Sequence, residues 1–172
     1  PFDIDYDIYN SPFFRFLNDE NAYLFELANF YFTKEQYQDA LNVFTTLGPK
    51  NDLETRKMLG FCYQKLMRYP FAIRSYEQCD IIEPDNIWTN KSIAYCYMQL
   101  YRYDSALQYY KIVDSLKPND FKTIYNMAIC YTQIRDFENG LNMFNKLDYL
   151  EEEATHQEEY YLYKGDCLWA TG

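Results

Sequence analysis

The chain of 172 residues carries a formal net charge of −10 and is rich in aromatic side chains, with 20 Tyr and 13 Phe. The acidic balance argues against non-specific binding to nucleic acids or anionic membranes, although it is compatible with a local basic groove. No run of 18 apolar residues is present, so we expect no membrane insertion.

The N-terminal residues 1–20 do not share the pattern of the rest of the chain. Residues 1–12 alternate acidic with aromatic or isoleucine side chains, which predicts an extended segment before a short helix that Ser11 caps and Pro12 opens. We interpret FFRFLN (13–18) as the last turns of a preceding helical hairpin. The acidic start lacks the layout of a signal peptide, and we expect the chain to be a piece of a larger protein.

From residue 21 onwards the chain contains an internal repeat. The segments YQDALNVF, YPFAIRSY, YDSALQYY and FENGLNMF align, and their small residues recur at steps of 32, 34 and 34. A period near 34, with small and aromatic residues at fixed positions, indicates stacked helical hairpins in which the small residues let two helices approach closely. The repeated small residues are Ala28, Gly60, Ala94 and Ala128 on first helices, and Ala40, Ala72, Ala106 and Gly140 on second helices.

The period divides the chain into four repeats and the first helix of a partial fifth, 158–172. The repeats cover 21–52, 53–86, 87–120 and 121–157. First helices are predicted at 20–32, 53–66, 87–100, 121–134 and 157–170. Second helices are predicted at 37–47, 69–82, 103–116 and 137–149.

Polar residues and prolines support these helix boundaries. Asp52, Asn86 and Asp120 precede first helices, where a side-chain oxygen can accept from unpaired backbone N–H groups. Pro84 and Pro118 follow second helices, which they prevent from continuing. The fourth repeat departs from this pattern because it has the acidic stretch LEEEATHQEE (150–159), which predicts either a solvated loop or an extension of the second helix.

The cysteines follow the repeat rather than a metal or disulfide pattern. Cys62, Cys96 and Cys130 are 34 residues apart, and Cys167 occupies the same position of the fifth unit. Equivalent positions in adjacent hairpins lie about 8–10 Å apart, which is too far for a disulfide. We therefore interpret them as packing residues with reduced thiols, which favours a cytoplasmic location but leaves the compartment open.

The repeat pattern resembles the tetratricopeptide repeat over about residues 21–172. The second unit has LGFCY (59–63) with Ala72, Tyr76 and Pro84, and the third has IAYCY (93–97) with Ala106, Tyr110 and Pro118. The resemblance implies an all-α fold: a right-handed α-solenoid of antiparallel helix hairpins, with first helices lining a concave face. It also implies that the chain binds a protein or peptide in that groove and has no catalytic residues.

If the family geometry holds, the groove combines aromatic and basic side chains and few acids. Such a face favours an acidic or carboxylate-bearing peptide, with the aromatics as anchors. The alternative is that the aromatics pack against neighbouring helices and the lysines are only solvated. The predicted partner-binding residues are Phe25, Asn29, Lys57, Phe61, Gln64, Trp88, Lys91, Tyr95, Lys122, Tyr125 and Asn126.

The carboxylate clamp by which some members of the family bind chaperone tails is not favoured by this sequence. Lys57 and Lys122 occupy lysine positions of that pattern, but its asparagine positions hold Phe61 and Ser92 and its arginine position holds Asn126.

These features distinguish three classes of function. The leading interpretation is a protein–protein interaction scaffold within a larger protein. The alternative is a structural or self-assembly module that stacks through Leu162, Leu168 and Trp169 of the C-terminal helix, giving a homo-oligomer. An enzyme is not expected, because His156 is the only histidine and no phosphate-binding loop is present. We predict no cofactor and no metal site.

Overall fold

The computed structural model describes residues 20–47, 53–150 and 158–172, and all regular secondary structure in these residues is α-helical. The chain forms two compact units, the first through Arg68 and the second from Tyr69. The expectations about residues 1–19, about the Asp52 cap and about the loop containing His156 lie outside the described residues.

The first unit contains three helices among its described residues. They are α1 (Glu20–Thr33), α2 (Tyr37–Thr46) and α3 (Leu53–Lys65). Helix α2 packs against both α1 and α3. Their shared core is made of Ala28, Ala40, Leu41, Phe44, Leu47 and Cys62.

The second unit contains six helices among its described residues. They are α4 (Tyr69–Ile82), α5 (Ile87–Gln99), α6 (Tyr103–Leu116), α7 (Phe121–Gln133), α8 (Phe137–Asp148) and α9 (Glu158–Thr171). Each packs against the next, and α7 also contacts α9. The predicted all-α fold of packed helix hairpins is confirmed, and every described helix begins and ends within one residue of its predicted bounds.

The turn after each first helix has the same backbone geometry in every repeat. A non-glycine residue there adopts a left-handed conformation, with φ between 56° and 64°. The next residue donates its N–H to the carbonyl of the repeated tyrosine near the helix end, as Arg102 does to Tyr97 at 2.9 Å. This is the Schellman arrangement, which satisfies carbonyls at a helix end while reversing the chain. The left-handed residues are Glu35, Met67, Tyr101 and Arg135.

The repeated small residues lie where helices approach most closely. The six repeated alanines are fully buried. A Cβ built on Gly140 of α8 would lie 3.0 Å from the Cys167 sulfur and 3.2 Å from the Thr132 hydroxyl. The position has little room for a side chain because α8 is held between α7 and α9.

Two predicted helix caps are present in the described residues. The Asn86 side chain accepts from Thr89 N at 3.0 Å, and the Asp120 side chain accepts from Thr123 N at 3.2 Å. These bonds satisfy backbone donors that the first turn of a helix leaves without a partner. None of the helices in the described residues has the length and apolar character of a membrane span.

All five cysteines are buried thiols. Burial raises the pKa of Cys62, Cys96 and Cys130 to about 12. These groups therefore stay protonated at physiological pH and act as small apolar packing residues, as predicted.

Candidate functional site

A cavity of about 200 Å³ in the second unit brings together four of the predicted binding residues. Helix α5 contributes two of them and the first half of α7 contributes the other two. Tyr110 and Thr123 were not among the predicted site residues, because both occupy repeated positions, one in the core and one beside the helix cap. The complete lining is Lys91, Tyr95, Tyr110, Lys122, Thr123 and Asn126.

A hydrogen-bonded tyrosine forms part of the cavity wall. Tyr110 is 2% exposed, and its hydroxyl accepts from the Asn126 side-chain amide at 3.0 Å and donates to the Met98 sulfur at 3.3 Å. Burial raises the pKa of Tyr110, so its hydroxyl is neutral at physiological pH. The bond to Tyr110 orients the side-chain amide of Asn126, which also lines the cavity.

Asp120 pairs with one of the two lysines of the cavity. It accepts from the Lys91 ammonium at 2.7 Å, from the Lys117 ammonium at 2.9 Å and from the Thr123 hydroxyl at 2.7 Å. Burial alone would raise the pKa of Asp120, but the hydrogen bonds from Lys91, Thr123 and Lys117 outweigh it and hold the pKa well below its ordinary value. Lys91 therefore already has a carboxylate partner, which it shares with Lys117.

Lys122 is the uncompensated cation of the site. Its side chain is exposed, and it forms no ion pair with any residue in the described part of the chain. An anion entering the cavity would therefore meet Lys122 without displacing a carboxylate, whereas it would have to compete with Asp120 for Lys91.

The depressed pKa of Asp120 predicts an acid-sensitive contribution to stability. The charged form stabilises the fold above the pKa of an unfolded aspartate, about 3.9, and this contribution is lost as the pH falls through the lower folded-state pKa. We expect Asp120→Asn, which keeps a capping oxygen but loses the ion pairs, to cost about 1 kcal/mol at pH 7. Urea unfolding should show this difference begin to shrink below about pH 3.9 and continue to shrink as the pH is lowered to about 2. A difference that stays constant with pH would contradict the assignment.

The aromatic residues of α5 are accessible beside the cavity. Tyr95 is 41% exposed, and its ring lies 6.5 Å from the ring of Tyr69. Trp88 is 42% exposed and meets Tyr76 edge to face at 5.4 Å, but it does not line the cavity. Tyr95 is thus the aromatic surface that a ligand of this cavity would contact.

Tyr125, although predicted as a binding residue, lies in an aromatic cluster rather than among the cavity residues. Its ring is stacked against those of Phe121 and Tyr160, with centroids 6.4 Å away in both cases, and meets Phe144 edge to face at 6.5 Å. The ring therefore contributes to the packing of α7 against α8 and α9. The sequence pattern did not distinguish this packing role from an anchoring role.

The five predicted binding residues of the first unit do not line the α5–α7 cavity. Phe25 meets Phe44 edge to face at 6.2 Å, and the Phe61 ring lies 5.3 Å from the Lys65 ammonium. Asn29 has a buried side-chain oxygen without a hydrogen-bond partner among the described residues. Lys57 and Gln64 are half-buried, and both interact with other residues.

Comparison with known proteins agrees with the architecture. Residues 92–120 match the family model described as tetratricopeptide repeat. MamA 41-end from Desulfovibrio magneticus RS-1 superposes with a TM-score of 0.75 at 19% identity, covering 89% of this chain and 90% of that one. A MamA crystal structure superposes with a TM-score of 0.76 at 13% identity, covering 88% of this chain and 82% of that one. MamA of AMB-1 superposes with a TM-score of 0.71 at 21% identity, covering 91% of this chain and 83% of that one.

The resemblance to the tetratricopeptide repeat is therefore confirmed, and the likeness to MamA is one of fold. No curated protein is similar to this chain in sequence.

Proposed function

We propose that this tetratricopeptide-repeat chain is an interaction scaffold that binds an acidic peptide segment of a partner protein at the α5–α7 cavity. The tetratricopeptide repeat and the MamA-like fold support a protein-interaction scaffold in general, which is a non-enzymatic type of protein. The acidic partner and this particular cavity are the specific part of the proposal.

The observation that carries the proposal is the uncompensated Lys122 in a cavity with an exposed aromatic ring. A carboxylate of the partner would pair with Lys122 and accept from nearby polar groups, while its apolar neighbours contact Tyr95. The cavity of about 200 Å³ is large enough for a side chain but too small for most cofactor-sized ligands, which occupy about 300–1,000 Å³.

We expect Lys122→Glu to weaken binding of an acidic peptide at least tenfold, which corresponds to about 1.4 kcal/mol. The probe is a fluorescent peptide library with Glu at varied positions, read by anisotropy, and each binder is compared with its Glu→Gln counterpart. Asp120→Asn should strengthen binding of the same peptides, because it releases Lys91 into the cavity.

The matched control is Lys111→Glu. Lys111 lies on α6, its ammonium is 5.6 Å from the Tyr131 ring, and the substitution changes the net charge by the same amount without touching the cavity. Its effect on affinity should stay within about twofold at roughly 0.15 M salt, where distant exposed charges are screened. Equal losses for Lys111→Glu and Lys122→Glu would mean that only overall charge matters, and the proposed site would be wrong.

The alternative function, self-assembly through the C-terminal helix, is favoured by the surface of α9. Gly165 lies on this helix near Leu168 and Trp169, and nothing lies within 4 Å of a Cβ built on it. Leu168 and Trp169 are 51% and 90% exposed. This hypothesis predicts a sedimentation mass above the 20.9 kDa of one chain, and a mass that stays at the value for one chain at every concentration excludes it.

A further inference from the structure

A second and larger cavity, of about 480 Å³, lies at the turn between α7 and α8, beside the C-terminal half of α9. It shares no lining residue with the α5–α7 cavity. Its volume is in the range of sites that hold small organic ligands. Its lining is Thr132, Gln133, Arg135, Phe137, Asp166, Trp169 and Ala170.

The cavity holds one cation and one anion that do not neutralise each other. Arg135 and Asp166 both line it, both are exposed, and neither forms an ion pair with any residue that the structure describes. Arg135 is the left-handed residue of the turn between α7 and α8, with φ of 64°. The position of its Cα and Cβ atoms is therefore set by the tight turn. A cavity with separate opposite charges on its walls is complementary to a ligand that carries both charges.

The aromatic side chains that line the cavity can bind the cationic group of such a ligand. Trp169 is 90% exposed, and Phe137 is half-buried in the aromatic and aliphatic cluster of α7, α8 and α9. A guanidinium or ammonium group over an indole face is attracted by the ring, and the attraction adds to that of a carboxylate on the same cation. Trp169 and Asp166 are three residues apart on α9, which places them on neighbouring positions of one helix face.

Asp166 also differs from the residues at the equivalent position of the other repeats, because it is charged. Its equivalents on the other first helices are Asn29, Phe61, Tyr95 and Ile129, none of which is charged. One repeat earlier, the corresponding cavity of about 210 Å³ is lined by Met98, Gln99, Tyr101, Tyr103, Ile129, Glu159 and Tyr163. Its carboxylate, that of Glu159, comes from the first turn of α9, whereas the position equivalent to Asp166 holds Ile129. The last repeat thus combines a larger cavity with a carboxylate at the position that is apolar in the preceding one.

We propose that this cavity binds a peptide end in which a lysine or arginine side chain lies beside a carboxylate. The basic group binds between the Asp166 carboxylate and the Trp169 ring, and the carboxylate pairs with the Arg135 guanidinium. This proposal stands on residues that the proposed function does not use, so each can fail without the other.

The test uses three short probes with the same backbone: acetyl-Gly-Gly-Arg with a free carboxylate, its C-terminal amide, and its citrulline analogue. Binding is followed through the indole N–H resonance of Trp169, which is easily assigned because the chain has only two tryptophans and Trp88→Phe removes the other. We expect a saturable shift with the arginine acid and a dissociation constant in the millimolar range or tighter. The citrulline analogue should bind at least tenfold more weakly, and the amide should also lose affinity.

Two substitutions test the contributions of the two cavity charges one at a time. Asp166→Asn should lower the affinity for the arginine acid at least tenfold, and Arg135→Gln should abolish the preference for the acid over the amide. Asp104→Asn, an exposed aspartate on α6, is the matched control and should change nothing. Equal binding of arginine and citrulline probes, no saturable shift, or equal effects of Asp104→Asn and Asp166→Asn would overturn the proposal.

Self-association through α9 would also shift the Trp169 resonance. That shift would occur in the absence of probe and would increase with protein concentration. The titrations are therefore run at two protein concentrations. A shift that follows protein rather than probe concentration would assign this surface to self-assembly and contradict the ligand site.

Discussion

Replacing Phe144 with alanine is expected to lower the free energy of unfolding by about 3–5 kcal/mol. Phe144 is fully buried on α8, and its ring lies 5.2 Å from that of Tyr160 and 6.5 Å from that of Tyr125, both edge to face. The substitution removes apolar contact with α7 and α9 together and leaves a cavity that three surrounding helices cannot easily fill. The measurement is urea unfolding followed by far-ultraviolet circular dichroism.

Two companion variants show whether the loss comes from this packing. Phe144→Leu keeps much of the volume and should cost less than about 1.5 kcal/mol. Tyr149→Ala removes an aromatic ring that is 87% exposed and should change stability by no more than about 0.5 kcal/mol. If Phe144→Ala were as mild as Tyr149→Ala, the aromatic cluster between α7, α8 and α9 would not be the core of this end of the chain.

Enlarging Ala106 to leucine is expected to destabilise the fold by about 1–3 kcal/mol. Ala106 is fully buried on α6, in a core cluster that includes Ala94 of α5 and Cys130 and Tyr131 of α7. Additional methyl groups at this position would push α6 away from two first helices at once. Because helical repeats are stabilised by their interfaces with neighbours, the damage should extend to the adjoining repeats, which hydrogen exchange can follow residue by residue.

The control for Ala106→Leu is the same side chain on the exposed face of the same helix. Gln108 is exposed, so Gln108→Leu should leave stability within about 0.5 kcal/mol of the original protein. An unchanged midpoint for Ala106→Leu itself would mean that the small-residue positions are not the sites of close helix approach, and the repeat alignment would lose its physical basis.

The sequence by itself determined the helices and their order. Helix bounds follow from local features that repeat: the period near 34, the capping oxygens of Asn86 and Asp120, and the prolines after second helices. The small residues also predicted where helices approach, because only alanine or glycine fits there, as Gly140 illustrates. These features act within one or two turns of helix, so a linear reading is sufficient to find them.

The sequence predicted Lys91, Tyr95, Lys122 and Asn126 among the groove residues of two successive first helices, and the same four residues line one cavity. It could not assign their electrostatic roles. Only the tertiary structure showed that Lys91 pairs with Asp120, 29 residues away, while Lys122 has no such partner in the described chain.

The tertiary structure likewise decided which aromatic rings are core and which are accessible. Tyr95 and Tyr125 were both predicted as groove residues of first helices, yet Tyr95 borders a cavity and Tyr125 stacks against Phe121 and Tyr160. The physical reason is that a repeat fixes the face of a helix on which a side chain lies, whereas its burial and its charge partners depend on the neighbouring helices, whose residues vary from one repeat to the next.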